Sequence, residues 1–192
     1  MNQKLTSSFY FQENVVDLAK NLIGKFLVTN FNGEITSGMI RETEAYAGVT
    51  DKASHAYKGK RTKRTEIMYH EGGIAYVYLC YGIHSLFNIV SNRADIPHAI
   101  LVRAIKPIDG IELMKQRAGK KNIEKNFAIG PGKVSKILGI SCQHSGLDLN
   151  SDLIWIEDRG LKITSNQIVS TPRIGVAYAG EDALLPYRFV LK

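Results

Sequence analysis

The chain has 192 residues, enough to bury one sizeable core and too few for two ordinary domains, so a single domain spanning 1–192 is expected. Lys and Arg outnumber Asp and Glu by 25 to 18, and the formal charge of +7 favours polyanionic partners over acidic small molecules. No run of 18 apolar residues exists to form a membrane helix. Cys80 and Cys142 stand outside any CxxC and are too few for a disulfide framework, and Met1–Leu5 has no apolar segment behind it for export, so a cytoplasmic protein is expected.

In chain order, Val15, Leu18, Ala19 and Leu22 recur at helical spacing after Asn14, a good N-cap, and Gly24 is placed to end that helix. Phe26 to Phe31 reads as a strand, Asn32-Gly33 as a tight hairpin turn, and Glu34 to Tyr46 as the returning strand. From Ala47 to Gly73 periodicity disappears, and loops of that length inside a compact domain are usually functional. Ile74 to Leu79 and Leu86 to Val90 pair as a hairpin tipped by Tyr81-Gly82-Ile83-His84. Ala99 to Ile105 is a further apolar strand, and Asp109-Gly110-Ile111-Glu112 resembles a capping box opening a helix toward Arg117. Gly130-Pro131-Gly132 precedes a short helix, Lys133 to Leu138, that Gly139 can stop. The remainder predicts strands at Leu153–Glu157, Leu161–Thr164, Arg173–Ala177 and Tyr187–Leu191. The class is α+β: one mixed or antiparallel curved sheet with flanking helices and a protruding β-hairpin.

Within the long strand, side chains alternate faces, so Ile40, Glu42, Glu44 and Tyr46 are expected to project together. Two carboxylates on a face that otherwise reads as core need a wet surface or a partner. Arg103, stranded in Ile100-Leu101-Val102-Arg103-Ala104-Ile105, is a suitable partner for either. Lys58, Lys60, Arg61, Lys63 and Arg64 crowd into one loop whose Gly59 and Thr62 break any helical face, and they read as phosphate contacts. Lys115, Arg117, Lys120, Lys121 and Lys125 form a second cluster at a helix C-terminus, where cations are favoured anyway. Tyr76 and Tyr78 share a strand face, and Tyr81 falls at the hairpin tip, where an apolar ring would suit wedging between nucleobases. Asn88 is a polar group in an apolar strand. No two of the five histidines have zinc-ligand spacing, and no elbow motif marks a nucleophilic serine, so neither a metal nor a cofactor is expected. Gly130-Pro131-Gly132-Lys133 lacks the rest of a phosphate-loop motif. A carboxylate near tyrosines, a basic loop and an aromatic tip suit hydrolysis at a nucleotide that must first leave the DNA stack.

Taken together, Arg41–Gly48 (RETEAYAG), Asp51–Ala56 (DKASHA), Ala75–Gly82 (AYVYLCYG), Ile100–Ala104 (ILVRA), Gly130–Lys133 (GPGK) and Pro172–Val176 (PRIGV) resemble, in order and spacing, the alkyladenine (3-methyladenine) DNA glycosylase family. The resemblance covers nearly the whole chain from Leu18 to Phe189. It implies a monofunctional enzyme that flips alkylated or deaminated purines out of duplex DNA and hydrolyses the N-glycosidic bond with water, acting as a monomer on damaged double-stranded DNA in a bacterial cytoplasm, without membrane, metal or cofactor. It also implies roles: Glu44 as general base, Arg103 and the main-chain carbonyl around Ile174 as contacts to the water, and Tyr46, His55 and Tyr78 as pocket walls. Asn88 would disfavour guanine, Tyr81 would fill the space the flipped base vacates, and Glu42 receives no role. The chain departs from the mammalian form at His84, and from some members at Lys63 and Thr65.

Two rival readings rest on the same residues. Glu42 and Glu44, roughly 7 Å apart along a strand, could be the carboxylate pair of an inverting O-glycoside hydrolase. The basic loop and aromatic tip could equally serve a non-catalytic DNA-binding module, whose binding would be salt-sensitive without any base release.

Overall fold

The computed structural model describes residues 2–192. Its first elements are a short strand, β1 (Gln3–Lys4), a single helical turn, α1 (Ser7–Tyr10), and helix α2 (Val15–Asn21). Asn14 caps α2, its Oδ1 accepting from the N–H groups of Val16 and Asp17 at 3.0 and 3.3 Å. Gly24 ends the helical turn at φ +85°, where a Cβ would lie 2.5 Å from Ile163. Strand β2 (Phe26–Phe31) then turns at Asn32-Gly33, both left-handed, into β3 (Glu34–Tyr46), pairing Phe31 with Glu34 and Phe26 with Met39.

Strands β4 (Ala75–Cys80), β5 (His84–Ser91) and β6 (His98–Asp109) follow, then helices α3 (Ile111–Ala118) and α4 (Pro131–Leu138), and strands β7 (Ile154–Asp158), β8 (Ile168–Thr171) and β9 (Arg188–Leu191). All nine strands join one sheet: seven run in the order β1-β7-β2-β3-β6-β5-β4, β9 branches from β3 and β8 pairs with β9, and every pairing among the described residues is antiparallel. β3 is the hub. Its first half lies between β2 and β6, and its second half lies between β6 and β9, which pairs Val190 with Glu42 and Arg188 with Glu44. The principal core lies on one face, where Leu18, Leu22, Phe87, Ile100, Val134 and Ile137 are buried between the helices and the sheet. The Thr43 hydroxyl donates to Ala19 O at 2.8 Å from that same face. α+β architecture with one curved sheet is thus what the chain forms.

Several elements differ from the sequence pattern. Ile40 does not share a face with Glu42 and Glu44, because the ladder between β3 and β6 is bulged: Ile40 pairs with Ile105, Glu42 with Ala104 and Thr43 with Val102. Arg41 and Arg103 are the residues passed over, and each bulge resets the alternation by one residue. Ile40 therefore joins Ala45 in the main core, while Glu42 and Glu44 point to the opposite side. The capping box at Asp109 does not form. Gly110, at φ +70°, is the cap, and Asp109 stays in β6 with its carboxylate 2.9 Å from Arg159 Nη2. Leu161–Thr164 pairs with no strand, since Ile163 is used to pack on Gly24. Arg173–Ala177 is not a strand either, because Arg173 is drawn inward to Asp51. The strand of that region is Ile168–Thr171. The Ala47–Gly73 stretch contains three short 3-10 turns but no strand.

Candidate active site

Glu44 is fully buried, yet its carboxylate is well supplied with donors. Oε1 accepts from the Ile174 N–H at 2.8 Å, and Oε2 accepts from the Tyr46 hydroxyl at 2.8 Å and from Arg103 Nη1 at 3.3 Å. A carboxylate offers about four acceptor directions. Three are filled here, and the Arg103 contact is the longest of them. The expectation at Ile174 concerned its carbonyl; the contact present in the structure is its amide donating to Glu44.

Arg103 is shared. Its Nε donates to Glu42 Oε1 at 2.9 Å, and the same oxygen accepts from Arg188 Nε at 2.7 Å. Glu42 therefore sits between two guanidinium groups and fixes the direction of Arg103, the role the sequence pattern left blank. Because one arginine links both carboxylates, neither is placed as the independent acid of a glycosidase pair, which also requires the two groups to flank the scissile bond.

Tyr46 is held from behind. The guanidinium of Arg173 lies 4.9 Å from its ring centroid and forms a buried two-pronged pair with Asp51, one arm 2.9 Å long. Asp51 in turn accepts from the N–H groups of Ala47 and Ala53 at 3.0 and 2.9 Å, which folds the 47–56 loop over the end of β3. Burial first, and then the neighbouring Glu44 charge, push the Tyr46 phenol well above its ordinary range, so it remains a donor to Glu44. The Asp51–Arg173 pair carries no role in the sequence reading, although both residues lie inside the matching segments.

His55, Tyr76, Tyr78 and Asn88 gather on the far side of the β4–β5 hairpin. His55 Nδ1 is 2.9 Å from the Tyr76 hydroxyl, and its ring meets Tyr78 edge-on with centroids 4.7 Å apart. Burial, followed by the charges of Arg64 and Lys60, lowers the His55 pKa to about 4, so the imidazole is neutral at physiological pH. Asn88 Nδ2 donates to Tyr76 O and Leu86 O, both at 3.1 Å, which spends the amide and leaves the carbonyl end for a ligand. Tyr46, His55, Tyr76, Tyr78, Asn88 and Tyr178 line an inner cavity of only about 40 Å³, room for a water or two. Outside it opens a cleft of about 600 Å³ whose wall includes Arg103, Ile174, Tyr81, His84 and Lys133. Tyr178 lines both spaces and is the aromatic that sequence reasoning missed, being two residues beyond the last matching segment.

At the mouth, Tyr81 takes a left-handed backbone, φ +51°, and is 90% exposed; Ile83 beside it is 74% exposed. Of the basic loop, Lys58, Lys60 and Lys63 form no ion pair among the described residues, whereas Arg61 is held by Glu66 at 2.7 Å and Asp95 at 2.8 Å. The second cluster is largely used internally. Arg117 donates to Thr36 Oγ1 and Ile137 O, and Lys115 and Lys120 pair with Glu112 and Glu124.

A buried, donor-rich carboxylate under an aromatic cleft, rimmed by cations and an exposed tyrosine, is an arrangement suited to hydrolysis on a polyanion. The comparisons supply the particular family. A profile of the methylpurine-DNA glycosylase family matches residues 9–192. A protein of Chlamydia felis named "Putative 3-methyladenine DNA glycosylase" is 46% identical over 188 residues, covering 97% of this chain and 95% of its own length. Proteins of the same name from Clostridium perfringens and Bacillus cereus are 42% and 41% identical over 191 residues, each alignment covering 95% of this chain and 93% of theirs. The chain belongs to the methylpurine-DNA glycosylase family, enzymes of DNA repair that hydrolyse N-glycosyl bonds. No described helix is long and apolar enough to cross a membrane.

Proposed function

We propose that this protein excises alkylated purines of the 3-methyladenine class, and deaminated or etheno purines such as hypoxanthine and ethenoadenine, from double-stranded DNA, using a water activated by Glu44. The observation that carries this reading is the Glu44 carboxylate, with one acceptor direction left, buried directly behind Tyr46, Arg103 and Ile174, which hold it and themselves line a cleft whose wall includes Tyr81.

The Arg103–Glu44 contact of 3.3 Å is the easiest to open. A water placed between the two would accept from the guanidinium and donate to the carboxylate, pointing an oxygen lone pair into the cleft. That oxygen attacks C1′ of the flipped nucleotide as the bond to the purine nitrogen breaks. The bonding pair leaves with the base, and the water proton passes to Glu44. A 3-alkylated purine is already cationic and leaves without protonation, so one general base suffices, whereas neutral hypoxanthine and ethenoadenine need in addition a proton delivered to the purine as the bond breaks. Tyr46, His55 and Tyr78 surround the flipped base, and the closely walled space at Asn88 disfavours the extra amino group of guanine. Tyr81 would occupy the gap in the stack, and Lys58, Lys60, Lys63 and the partly neutralised Arg61 would contact phosphates. Strand cleavage is not expected, since it needs a lysine or other amine nucleophile in the pocket and the family pattern supplies none. The enzyme acts as a monomer without metal or cofactor, in the bacterial cytoplasm and on the nucleoid.

The test is release of base from methylated duplex DNA. The wild-type protein should free 3-methyladenine, separable by chromatography, and leave alkali-labile abasic sites. Salt-sensitive binding with no released base would favour the non-catalytic module instead.

A further inference from the structure

Arg64 belongs to the basic loop, but its guanidinium is turned inward. Its Cζ lies 4.7 Å from the centroid of the Tyr78 ring, a cation–π contact, and Nη2 is 3.5 Å from His55 Nε2. It also comes close enough to the Tyr76 hydroxyl to favour that phenol's ionised form against burial. One arginine therefore contacts two of the side chains that enclose the inner cavity, Tyr78 and His55, and acts electrostatically on a third, Tyr76. That cavity is narrow, about 40 Å³, and Arg64 lines the cleft outside it.

The aromatic face of Tyr78 is the surface a flipped base would stack on, so a guanidinium seated there excludes the base. It would also repel a cationic alkylpurine. Arg64 is free to leave. Arg61, three residues earlier, is fixed by Glu66 and Asp95, whereas Arg64 has no carboxylate within ion-pair distance among the described residues. A phosphate, which accepts two parallel hydrogen bonds from a guanidinium, is a better partner than a tyrosine face.

We propose that Arg64 is the gatekeeping residue of the purine pocket. In the free protein its guanidinium takes the place of a base on Tyr78, and a DNA phosphate beside the flipped nucleotide draws it away. The pocket thus opens on engagement of the backbone and closes again as the product leaves. Free purines are then poor ligands of the protein alone. This rests on the base-excision reading above and adds to it the coupling between backbone contact and pocket access.

The experiment is equilibrium dialysis of radiolabelled free 3-methyladenine against the full-length protein without DNA, for the wild type, Arg64→Ala and Arg64→Gln. Both variants should bind the free base at least about tenfold more tightly than the wild type while binding duplex DNA more weakly. The glutamine variant, close in length to arginine, guards against misfolding of the alanine one. Free-base affinity equal to or below that of the wild type in both variants would overturn the gate. Base release from methylated duplex by the wild type, measured alongside, keeps the two readings apart. Its absence would overturn the glycosylase reading, whereas unchanged free-base affinity with normal release would overturn only the gate.

Discussion

The floor and the rim of the cleft are built on opposite principles. On the floor, Glu42, Glu44, Arg103 and Arg188 come from three adjacent strands, are largely buried, and satisfy one another through contacts of 2.7 to 3.3 Å. At the rim, Tyr81, Ile83 and the loop lysines are exposed and make few internal contacts. Groups that must be held to a fraction of an ångström are carried by a sheet, and groups that must meet a long, variable polyanion are carried by a hairpin tip and a loop. Changes on the floor should therefore cost stability as well as activity, and changes at the rim should cost only binding.

The largest divergence is expected at Glu42. Glu42→Gln leaves Arg103 and Arg188 facing each other with no carboxylate between them, and urea unfolding should show a loss of about 2 kcal/mol together with slower base release. Unchanged stability would mean that the floor is not the rigid unit described. Tyr81→Ser tests the rim: lesion-containing duplex should bind about tenfold more weakly, the worth of one stacked ring, with the thermal midpoint unchanged. A large fall in the midpoint would place Tyr81 in the core energetics instead. Smaller still is the effect of Lys60→Ala with Lys63→Ala, which should flatten the log–log dependence of duplex affinity on salt by about 2. A slope equal to that of the wild type would remove these lysines from the phosphate path.

The remaining prediction concerns pH. His55 is held down to about pH 4 by burial and by Arg64 and Lys60, and burial also lowers His98 and His144. The unfolded chain, whose histidines titrate near 6.5, binds more protons than the native one between these values. Stability should be complete above about pH 6.5 and decline as pH falls toward 4. Unfolding curves at pH 7.5, 6 and 5 measure this, and rising stability on acidification would contradict it.

Much of the scaffold is legible in the sequence. Asn32-Gly33 announces the β2–β3 hairpin, and Asn14 with Gly24 brackets α2, because turn and cap chemistry is local. The bulges at Arg41 and Arg103 are not legible, since alternation has no means of counting a residue that a ladder passes over. They matter most, because they turn Ile40 into the core and bring Arg103 to the carboxylates. Likewise, Arg173 reads as part of a strand until its partner is known, and Asp51 lies 122 residues away in the chain. Asp109 resembles a cap, but Arg159, 50 residues on, takes its carboxylate. Buried ion pairs between distant segments are set by tertiary packing and leave no local signature. The residues gathered at the cleft were nameable from their order along the chain. Arg64 turning inward and Tyr178 joining the wall were not.

The central claim is that Glu44, alone among the floor carboxylates, serves as the base. Single-turnover release of 3-methyladenine from methylated duplex by the wild type and Glu44→Gln, with duplex affinity and circular dichroism measured on both, tests it directly. The variant should be less stable but still folded at the assay temperature, keep the affinity, and release base some 10²- to 10⁴-fold more slowly. A folded Glu44→Gln protein that releases base at the wild-type rate would contradict the assignment.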